Sequence, residues 1–438
     1  MSLYSGNIVS DLIDPNTNVQ NRKVEFKLNP HSGYYNNLRV ANLGVRVAGK
    51  NYDQLAGVYG VLKNIYLYDG RRELDSLREA NRYLGFTNLL YPNEVNQSQR
   101  HKLVKHNIGY SIDDSKKIQQ RFQLDLNGGA EDQTTANNNE GDSTRLGYLD
   151  LRQALPLLQN MIYLDTDQTF KNLKVVIEFE TKIEKVLTNN ANAFNVEAPI
   201  LIADEILDPN MRMKLAKEMT GAVWNCIEHD QFQVAGNLSV NADADTRAVE
   251  QTTNKKVDGF NNKQVSRVVI MKERTDQANL INANNVVGFG QLSSVAQHKE
   301  KVQVVLNGKP LFAGNDGIEN EGYKAQLLSM TFGNINLAPY DNLECIGSDS
   351  PVANSVHKTG VRPLVANKQS NETGGLNYIG FSIEDKINDL QVTYKRTNVK
   401  YTNGEANQPL NAPLNIHLYA EVRKQITISG GNYQINYV

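Results

Sequence analysis

The chain has few of the features on which several classes of protein depend. It contains only two cysteines, Cys226 and Cys345, among 438 residues. Two cysteines cannot build a disulfide framework, so we expect both to be reduced and buried. No run of about eighteen apolar residues is present, and no secretory signal is recognisable near Met1. We therefore expect no membrane span and a soluble chain made inside a cell.

An excess of charge of one sign is also missing. Lys and Arg together number 46 against 48 for Asp and Glu, which gives a formal net charge of -2. The first twenty residues contain no Lys or Arg. Because proteins that bind nucleic acid directly usually present a basic arm or face, we expect no direct nucleic-acid binding.

The residues that are abundant favour strands and turns. About one residue in eight is Asn, which favours turns and tolerates left-handed backbone. The chain has 20 Tyr and 12 Phe but a single Trp, and the Tyr and Phe lie mostly inside β-branched runs. The composition predicts an all-β protein with many connections.

Runs of alternating apolar and polar residues predict the strands. They cover residues 22–29, 37–48, 61–69, 119–127, 159–165 and 172–186. Helices are predicted only at 73–84, from a stripe of Leu and Ala at helical spacing, and at 211–219, after Asp208-Pro209. Long polar stretches at 128–145, 237–262 and 333–375 are predicted to be loops.

Three short segments recur in the same order at nearly one spacing. The first pair is YLYDG at 66–70 and the similar VVLNG at 304–308, and the second is GFTN at 85–88 and TFGN at 331–334. The third pair is LKVVIEFE at 173–180 and LNIHLYAE at 414–421. A displacement of about 240 residues predicts two copies of one β-fold.

We predict two tandem jelly rolls, each an eight-stranded antiparallel β-sandwich, with few short helices and long polar loops. The predicted boundaries are an N-terminal arm at 1–14, a first roll at 15–195, a linker with a short helix at 196–217 and a second roll at 218–438.

Two motifs could carry phosphate chemistry. GVRVAGK at 44–50 fits the core of a phosphate-binding loop, but Asn51 stands where a Ser or Thr would bind magnesium. We interpret it as a strand that ends in a turn. In IYLDTDQT, Asp165 and Asp167 resemble the nucleophile and acid of haloacid-dehalogenase-type phosphatases, although Gln168 replaces the usual Gly. We interpret that motif as a polar turn between two strands.

No other residues suggest a reaction. The seven His are scattered without the spacing of a zinc site, and no nucleophile elbow precedes a helix. The sequence therefore predicts a protein that is not an enzyme, with no catalytic, cofactor-binding or metal-binding residues and no cofactor.

Two segments resemble a known family. They are GVYGVLKNIYLYDGRRELDSLREANRYLGFTN at 57–88 and VDGFNNKQVSRVVIM at 257–271. The chain resembles the double-jelly-roll major capsid proteins of Polinton-like viruses, virophages and related large DNA viruses. The resemblance covers nearly the whole chain in its general organisation, but it includes no short motif that is diagnostic of the family.

The resemblance implies a structural role in a virion. It implies a homotrimer that forms a six-lobed, pseudo-hexagonal capsomer of an icosahedral shell, whose partners are neighbouring capsomers, penton proteins and minor capsid proteins. The long loops are then expected to project from the outer surface. The alternative from another class is a β-sandwich adhesin, or a carbohydrate-binding fibre or tail protein of a virus.

Overall fold

The computed structural model describes residues 8–45, 57–90, 147–182, 186, 194–235, 249–274, 299–312, 317, 327, 330–332, 378–398 and 414–438. The predicted strand at 119–127 and the predicted loops at 128–145 and 333–375 lie outside them. Within the described residues, no helix is long and apolar enough to cross a membrane.

Among the described residues, eleven strands and two helices precede residue 207. The strands are β1 (Ile8–Ile13), β2 (Thr17–Val19), β3 (Lys23–Lys27), β4 (Gly33–Tyr35), β5 (Arg39–Leu43), β6 (Leu62–Asp69), β7 (Arg72–Arg78), β8 (Gly147–Asp150), β9 (Tyr163–Asp165), β10 (Leu173–Phe179) and β11 (Ile200–Ile206). The helices are α1 (Ala80–Leu90) and α2 (Pro156–Asn160). Short 3-10 turns occupy Gly57–Val61 and Leu151–Gln153.

The part of the chain described after residue 207 includes one further helix and nine strands. The helix is α3 (Pro209–Glu218). The strands are β12 (Gly221–Val234), β13 (Val249–Lys256), β14 (Lys263–Arg274), β15 (Lys299–Leu306), β16 (Lys309–Pro310), β17 (Tyr378–Ile387), β18 (Leu390–Asn398), β19 (Leu414–Ser429) and β20 (Asn432–Tyr437).

The first eleven strands form two antiparallel sheets with a jelly-roll order. We letter the main strands B to I along the chain: β1 is B, β3 is C, β4 and β5 are D, β6 is E, β7 is F, β8 and β9 are G, β10 is H and β11 is I. One sheet then has the order B-I-D-G and the other C-H-E-F. Two Greek keys folded over each other produce this order.

The remaining strands repeat that order. With β12 as B and β13 to β19 as C to I, one sheet is again B-I-D-G and the other again C-H-E-F. The additional strand β20 folds back on the second half of β19. The fold is therefore two tandem jelly rolls, as the sequence predicts, and we call β1 to β11 the first roll and β12 to β20 the second.

Alternation of side chains builds each core. On β10, Leu173, Val175 and Ile177 point inward and are buried, and Lys174 and Glu178 on the opposite face are partly exposed. The same pleat buries alternate residues on the facing sheets of both rolls. Buried apolar residues from the two rolls form one continuous cluster, so the hydrophobic core extends across the junction.

The hydrogen bonds correct the predicted domain boundaries. Strand β1 lies in the predicted arm and β11 in the predicted linker, but they pair along their whole length, from Ile8 with Ile206 to Ile13 with Leu201. Both are strands of the first roll, which extends to residue 206. The connection between the rolls comprises residues 207–220 and contains α3.

Other predicted elements shift in type. The predicted helix at 73–84 is wrong in its first half, because residues 72–78 form β7 and the helix begins at Ala80. The stretch 237–262, predicted as a loop, contains β13. The predicted strand at 159–165 contains the end of α2 and only the short β9. The predicted helix after Asp208-Pro209 is confirmed, with the Asp208 side chain accepting a hydrogen bond from the Asn210 N–H.

A glycine at the start of β12 provides a test of this pairing. Gly221 has a φ of 134°, and a Cβ built there would lie 2.0 Å from the Ile426 carbonyl oxygen. Gly308 also has a positive φ, of 78°, but a Cβ there meets no atom within 4 Å. We expect Gly221→Ala to lower the free energy of unfolding by more than about 2 kcal/mol and Gly308→Ala by about 1 kcal/mol.

Urea denaturation of the two variants beside the wild type measures the difference. Equal losses would contradict the close approach of β12 and β19 at Gly221.

Candidate functional site

The phosphate-loop motif is only partly within the described residues. Val45 forms an isolated antiparallel bridge with Val196, and the Gly44 carbonyl accepts a hydrogen bond from the Glu197 N–H at 2.9 Å. Residues 46–50 lie outside the described residues. The described part has the backbone pairing of a strand end.

Asp165 belongs to a hydrogen-bonded turn after β9. Its Oδ1 accepts hydrogen bonds from the Asp167 N–H at 3.0 Å and the Gln168 N–H at 3.1 Å. Its Oδ2 accepts one from the Thr169 hydroxyl at 3.0 Å. The residue is only 3% exposed, so its carboxylate is saturated by the turn that it closes.

Asp167 has a different environment. Its side chain is 44% exposed and lies 3.0 Å from His31 Nδ1, while Gln168 Nε2 donates a second hydrogen bond to it. These two contacts, the one from Gln168 first, hold the pKa of Asp167 below its usual range. One carboxylate is buried and the other faces solvent, so the two do not converge on a common open site as the phosphatase motif requires.

The remaining candidate metal ligands are also dispersed. Among the described residues, no group of three or more His, Cys, Asp or Glu side chains could hold a metal ion. Cys226 is buried and free, and burial raises the pKa of its thiol to about 12. His101, His106, His298, His357 and Cys345 lie outside the described residues.

The junction between the two rolls is where polar and aromatic side chains do converge. The β6–β7 hairpin of the first roll contacts β20 of the second. The Tyr433 hydroxyl donates a hydrogen bond to Asp69 at 2.8 Å, and Arg72 lies over the Tyr433 ring at 4.9 Å from its centre. Phe170 also packs against this ring, with the ring centres 5.1 Å apart. Tyr433 thus contacts two segments of the first roll.

A second contact joins α1 to β19. The Tyr419 hydroxyl donates a hydrogen bond to the Glu79 carbonyl at 2.9 Å, and its ring packs on Tyr83 at 5.2 Å. The Tyr83 hydroxyl reaches Glu421 at 3.5 Å, and Arg267 pairs with Glu421 at 2.6 Å. Burial raises the pKa of Glu421, and the Arg267 charge opposes that rise.

Asp75 on β7 is the most deeply buried carboxyl at this junction. It is 0% exposed and accepts hydrogen bonds from the Leu157 N–H at 2.8 Å and the Ser76 N–H at 3.0 Å. The first of these bonds ties β7 to the start of α2. Burial raises the pKa of Asp75 to about 7, although both bonds and the charge of Lys424 in the second roll favour the ionised form.

Beside it, two lysines of the second roll share one carboxylate. Glu228 pairs with Lys263 at 2.6 Å and lies 3.7 Å from Lys424, and the Tyr437 hydroxyl donates a hydrogen bond to it at 2.7 Å. Burial opposes ionisation of Glu228, but these partners outweigh it and lower its pKa. This cluster attaches the C-terminal strand β20 to β12.

Two histidines complete the junction. His229 on β12 and His417 on β19 lie 3.0 Å apart between Nε2 and Nδ1, and their rings stack at 5.3 Å. Burial lowers the pKa of His229 to about 3, and the charges of His417, Arg78 and Arg82 add to this effect. Both arginines belong to the first roll.

A cleft opens next to these residues. It has a volume of about 860 Å³, with Tyr83, Gln153 and Pro156 of the first roll on one side and Trp224 and Arg423 of the second on the other. Most of its lining is polar, and residues of unlike charge face it. We treat the junction and cleft as a structural site that fixes the orientation of the rolls.

Comparisons with known proteins identify structures of the same architecture. No family model matches the sequence, and no curated protein matches it. The crystal structure of the mavirus major capsid protein matches with a TM-score of 0.56 and 9% identity, over 100% of this chain and 91% of that one. The PBCV-1 virus capsid matches at 0.49 and 13% identity over 100% and 99% of the chains, and the Faustovirus major capsid protein at 0.45 and 7% over 96% and 90%. The mavirus match shows that the two proteins share the double-jelly-roll fold.

The histidine pair should make stability depend on pH. Because the folded pKa of His229 lies below the unfolded value of about 6.5, its contribution is complete above that pH and is lost as pH falls toward about 3. Asp75 acts in the opposite sense, because its raised pKa favours the folded state at low pH. We therefore compare wild type with His229→Gln, which retains Asp75.

Relative to this variant, wild type should lose up to about 1.4 kcal/mol per pH unit below pH 6.5. Urea denaturation from pH 7.5 to 5 measures the difference. Parallel profiles of unfolding free energy against pH for the two proteins would contradict a partly buried, neutral His229.

The two aspartates of the turn should differ in their effect on stability. Asp165→Ala leaves two N–H groups and one hydroxyl without their buried acceptor, so we expect a loss of about 2–3 kcal/mol. Asp167→Ala removes only exposed contacts, and we expect a change within about 0.5 kcal/mol. Thermal unfolding of both variants checks the contrast, and hydrolysis of a generic phosphate ester that disappears in either variant would support the phosphatase interpretation instead.

Proposed function

We propose that this chain is a viral major capsid protein that assembles as trimeric, pseudo-hexagonal capsomers of an icosahedral shell. The observation that carries the proposal is the repetition of the B-I-D-G and C-H-E-F sheets in two rolls of one chain. Two similar but unequal lobes joined in a fixed orientation allow three chains to form a six-lobed ring. The fold shared with the mavirus major capsid protein supports the same role.

The junction supports a mechanical function. The Tyr433, Tyr419 and Asp75 contacts join elements more than eighty residues apart, and the first two cross between the rolls. Buried polar groups with satisfied hydrogen bonds favour one arrangement over others, because any slippage leaves them unpaired. A capsomer needs this property, since its subunits must present the same outline to every neighbour.

We further propose that the chain is a structural subunit and not a catalyst. Its location would be the virion, and its partners would be other copies of itself, neighbouring capsomers, penton proteins and minor capsid proteins. We expect no cofactor. We also expect no direct binding of nucleic acid, because Lys and Arg nearly balance Asp and Glu over the chain.

One feature favours the carbohydrate-binding alternative. Tyr66 and Tyr68 point outward from the C-H-E-F sheet of the first roll and stack at 5.6 Å. Glu178 accepts a hydrogen bond from Asn64 at 2.6 Å beside them, and Lys174 lies over the Tyr68 ring. Stacked rings beside polar groups are suited to sugars, so a viral fibre or adhesin remains the second candidate function.

Solution mass distinguishes the two functions. A capsomer subunit should have a mass of three times 49.0 kDa at micromolar concentration, and higher protein or salt concentration should produce larger sheets or shells. Mass photometry and light scattering measure both properties. A monomer that never assembles, and that binds a glycan array through Tyr66 and Tyr68, would favour the adhesin.

A further inference from the structure

The junction within one chain shows how two rolls of this protein fit together. Strand F of the first roll, β7, packs against strand B of the second, β12. The E–F hairpin of the first roll, through Asp69 and Arg72, contacts Tyr433 in the segment that follows strand I of the second. The contact is therefore made by the E–F side of one roll on the B–I side of the next.

In a closed ring of alternating rolls, each junction between chains joins the same two sides. The E–F side of the second roll must then meet the B–I side of the first roll of the next chain. This step rests on the trimer proposed above. It identifies which surfaces of this chain remain open for the contact.

The B–I side of the first roll is apolar and open. Within the described residues, β1 pairs only with β11, so one edge of β1 has no strand beside it. Three of the eleven exposed large hydrophobic side chains of the described residues lie on β1 or just after β11. They are Val9 at 48%, Leu12 at 65% and Leu207 at 46% exposed.

The corresponding strands of the second roll are partly covered. On β12 and β19, Trp224 is 2% exposed, His417 1% and Tyr419 1%, although Val223 is 40% exposed. The first roll contributes to this burial through Tyr83 and Glu79. Strand B therefore has buried residues in the second roll and none in the first, as expected if β1 has a partner in another copy.

The E–F side of the second roll provides the matching surface. In the β15–β16 hairpin, Leu306 pairs with Lys309. In the equivalent hairpin of the first roll, Asp69 pairs with Arg72. Lys309 therefore occupies the position equivalent to Arg72. Lys309 is exposed, and Leu311, two residues further on, is 37% exposed. Asp11 and Asp14 lie on or next to β1, so the two surfaces also have opposite charge.

We propose that the edge of β1, with Val9, Leu12 and Leu207, is the docking surface for the β15–β16 hairpin of a second copy of this chain. Its occupant is the hairpin around Lys309 and Leu311. Three identical contacts of this head-to-tail kind close the ring.

Single substitutions test the two surfaces separately. Leu12→Asp should raise the concentration at which half of the chains are trimeric at least about tenfold, and Leu311→Asp should do the same. Ile162→Asp is the matched control. Ile162 is as exposed as Leu12 but precedes β9 at the opposite edge of the sheet. The control should leave the trimer intact.

A mixture of the two variants tests the head-to-tail geometry. Each variant retains one intact surface, so an equimolar mixture of Leu12→Asp and Leu311→Asp chains should form dimers that contain one of each and cannot close into a ring. Native mass spectrometry identifies that species. Thermal unfolding of each variant confirms that the fold is retained, and Leu207→Asp and Lys309→Glu replace any variant that unfolds early.

The outcomes separate this inference from the proposed function. A wild-type trimer that both variants preserve would overturn the docking surface and leave the capsomer proposal standing. Loss of the trimer in Leu12→Asp alone, with Leu311→Asp and Lys309→Glu unaffected, would indicate that β1 docks on another surface and would overturn the assigned occupant. A wild-type monomer would overturn the trimer, and this inference with it.

Discussion

The packing of β7 and α1 of the first roll against β12 and β19 of the second is the contact on which the rest of the structure depends. It joins the two hydrophobic cores into one cluster and buries Asp75 completely. Burying a carboxyl group without hydrogen bonds costs more free energy than leaving it exposed to water. The fold of the first roll therefore depends on the backbone N–H groups of Leu157 and Ser76, which donate hydrogen bonds to Asp75. The two rolls consequently form one unit with two unequal lobes, and the proposed capsomer is built from that unit.

Much of the fold could be predicted because a pleated strand imposes a period of two on its sequence. That period identified β3, β6 and β10, but it could not distinguish one central strand of a roll from another. The sequence repeat between 173–180 and 414–421 therefore matched strands that are not equivalent, because the first is strand H of the first roll and the second is strand I of the second roll. The echo at 66–70 and 304–308 finds the equivalent E–F hairpins, one residue out of register. The spacing of Leu74 and Leu77 suggested a helix because a β-bulge in the β6–β7 pairing interrupts the alternation of inward and outward side chains along β7.

The junction could not be predicted in the same way. His229 and His417 are 188 residues apart, and Tyr83 and Glu421 are 338 apart. Each is unremarkable in its own strand or helix, and only the packing of the rolls brings them together. The turn after β9 was easier to predict from the sequence, because Asp165 and Thr169 have the spacing of a local hydrogen-bonded turn. The sequence did not reveal that Asp165 is buried, since burial depends on neighbours from distant strands.

Electron cryomicroscopy of the purified protein would show the arrangement of the rolls and of the chains together. We expect a ring of six lobes with threefold symmetry, in which the rolls alternate and the E–F side of each faces the B–I side of the next. A twofold dimer, or rolls separated by solvent within one chain, would contradict this arrangement.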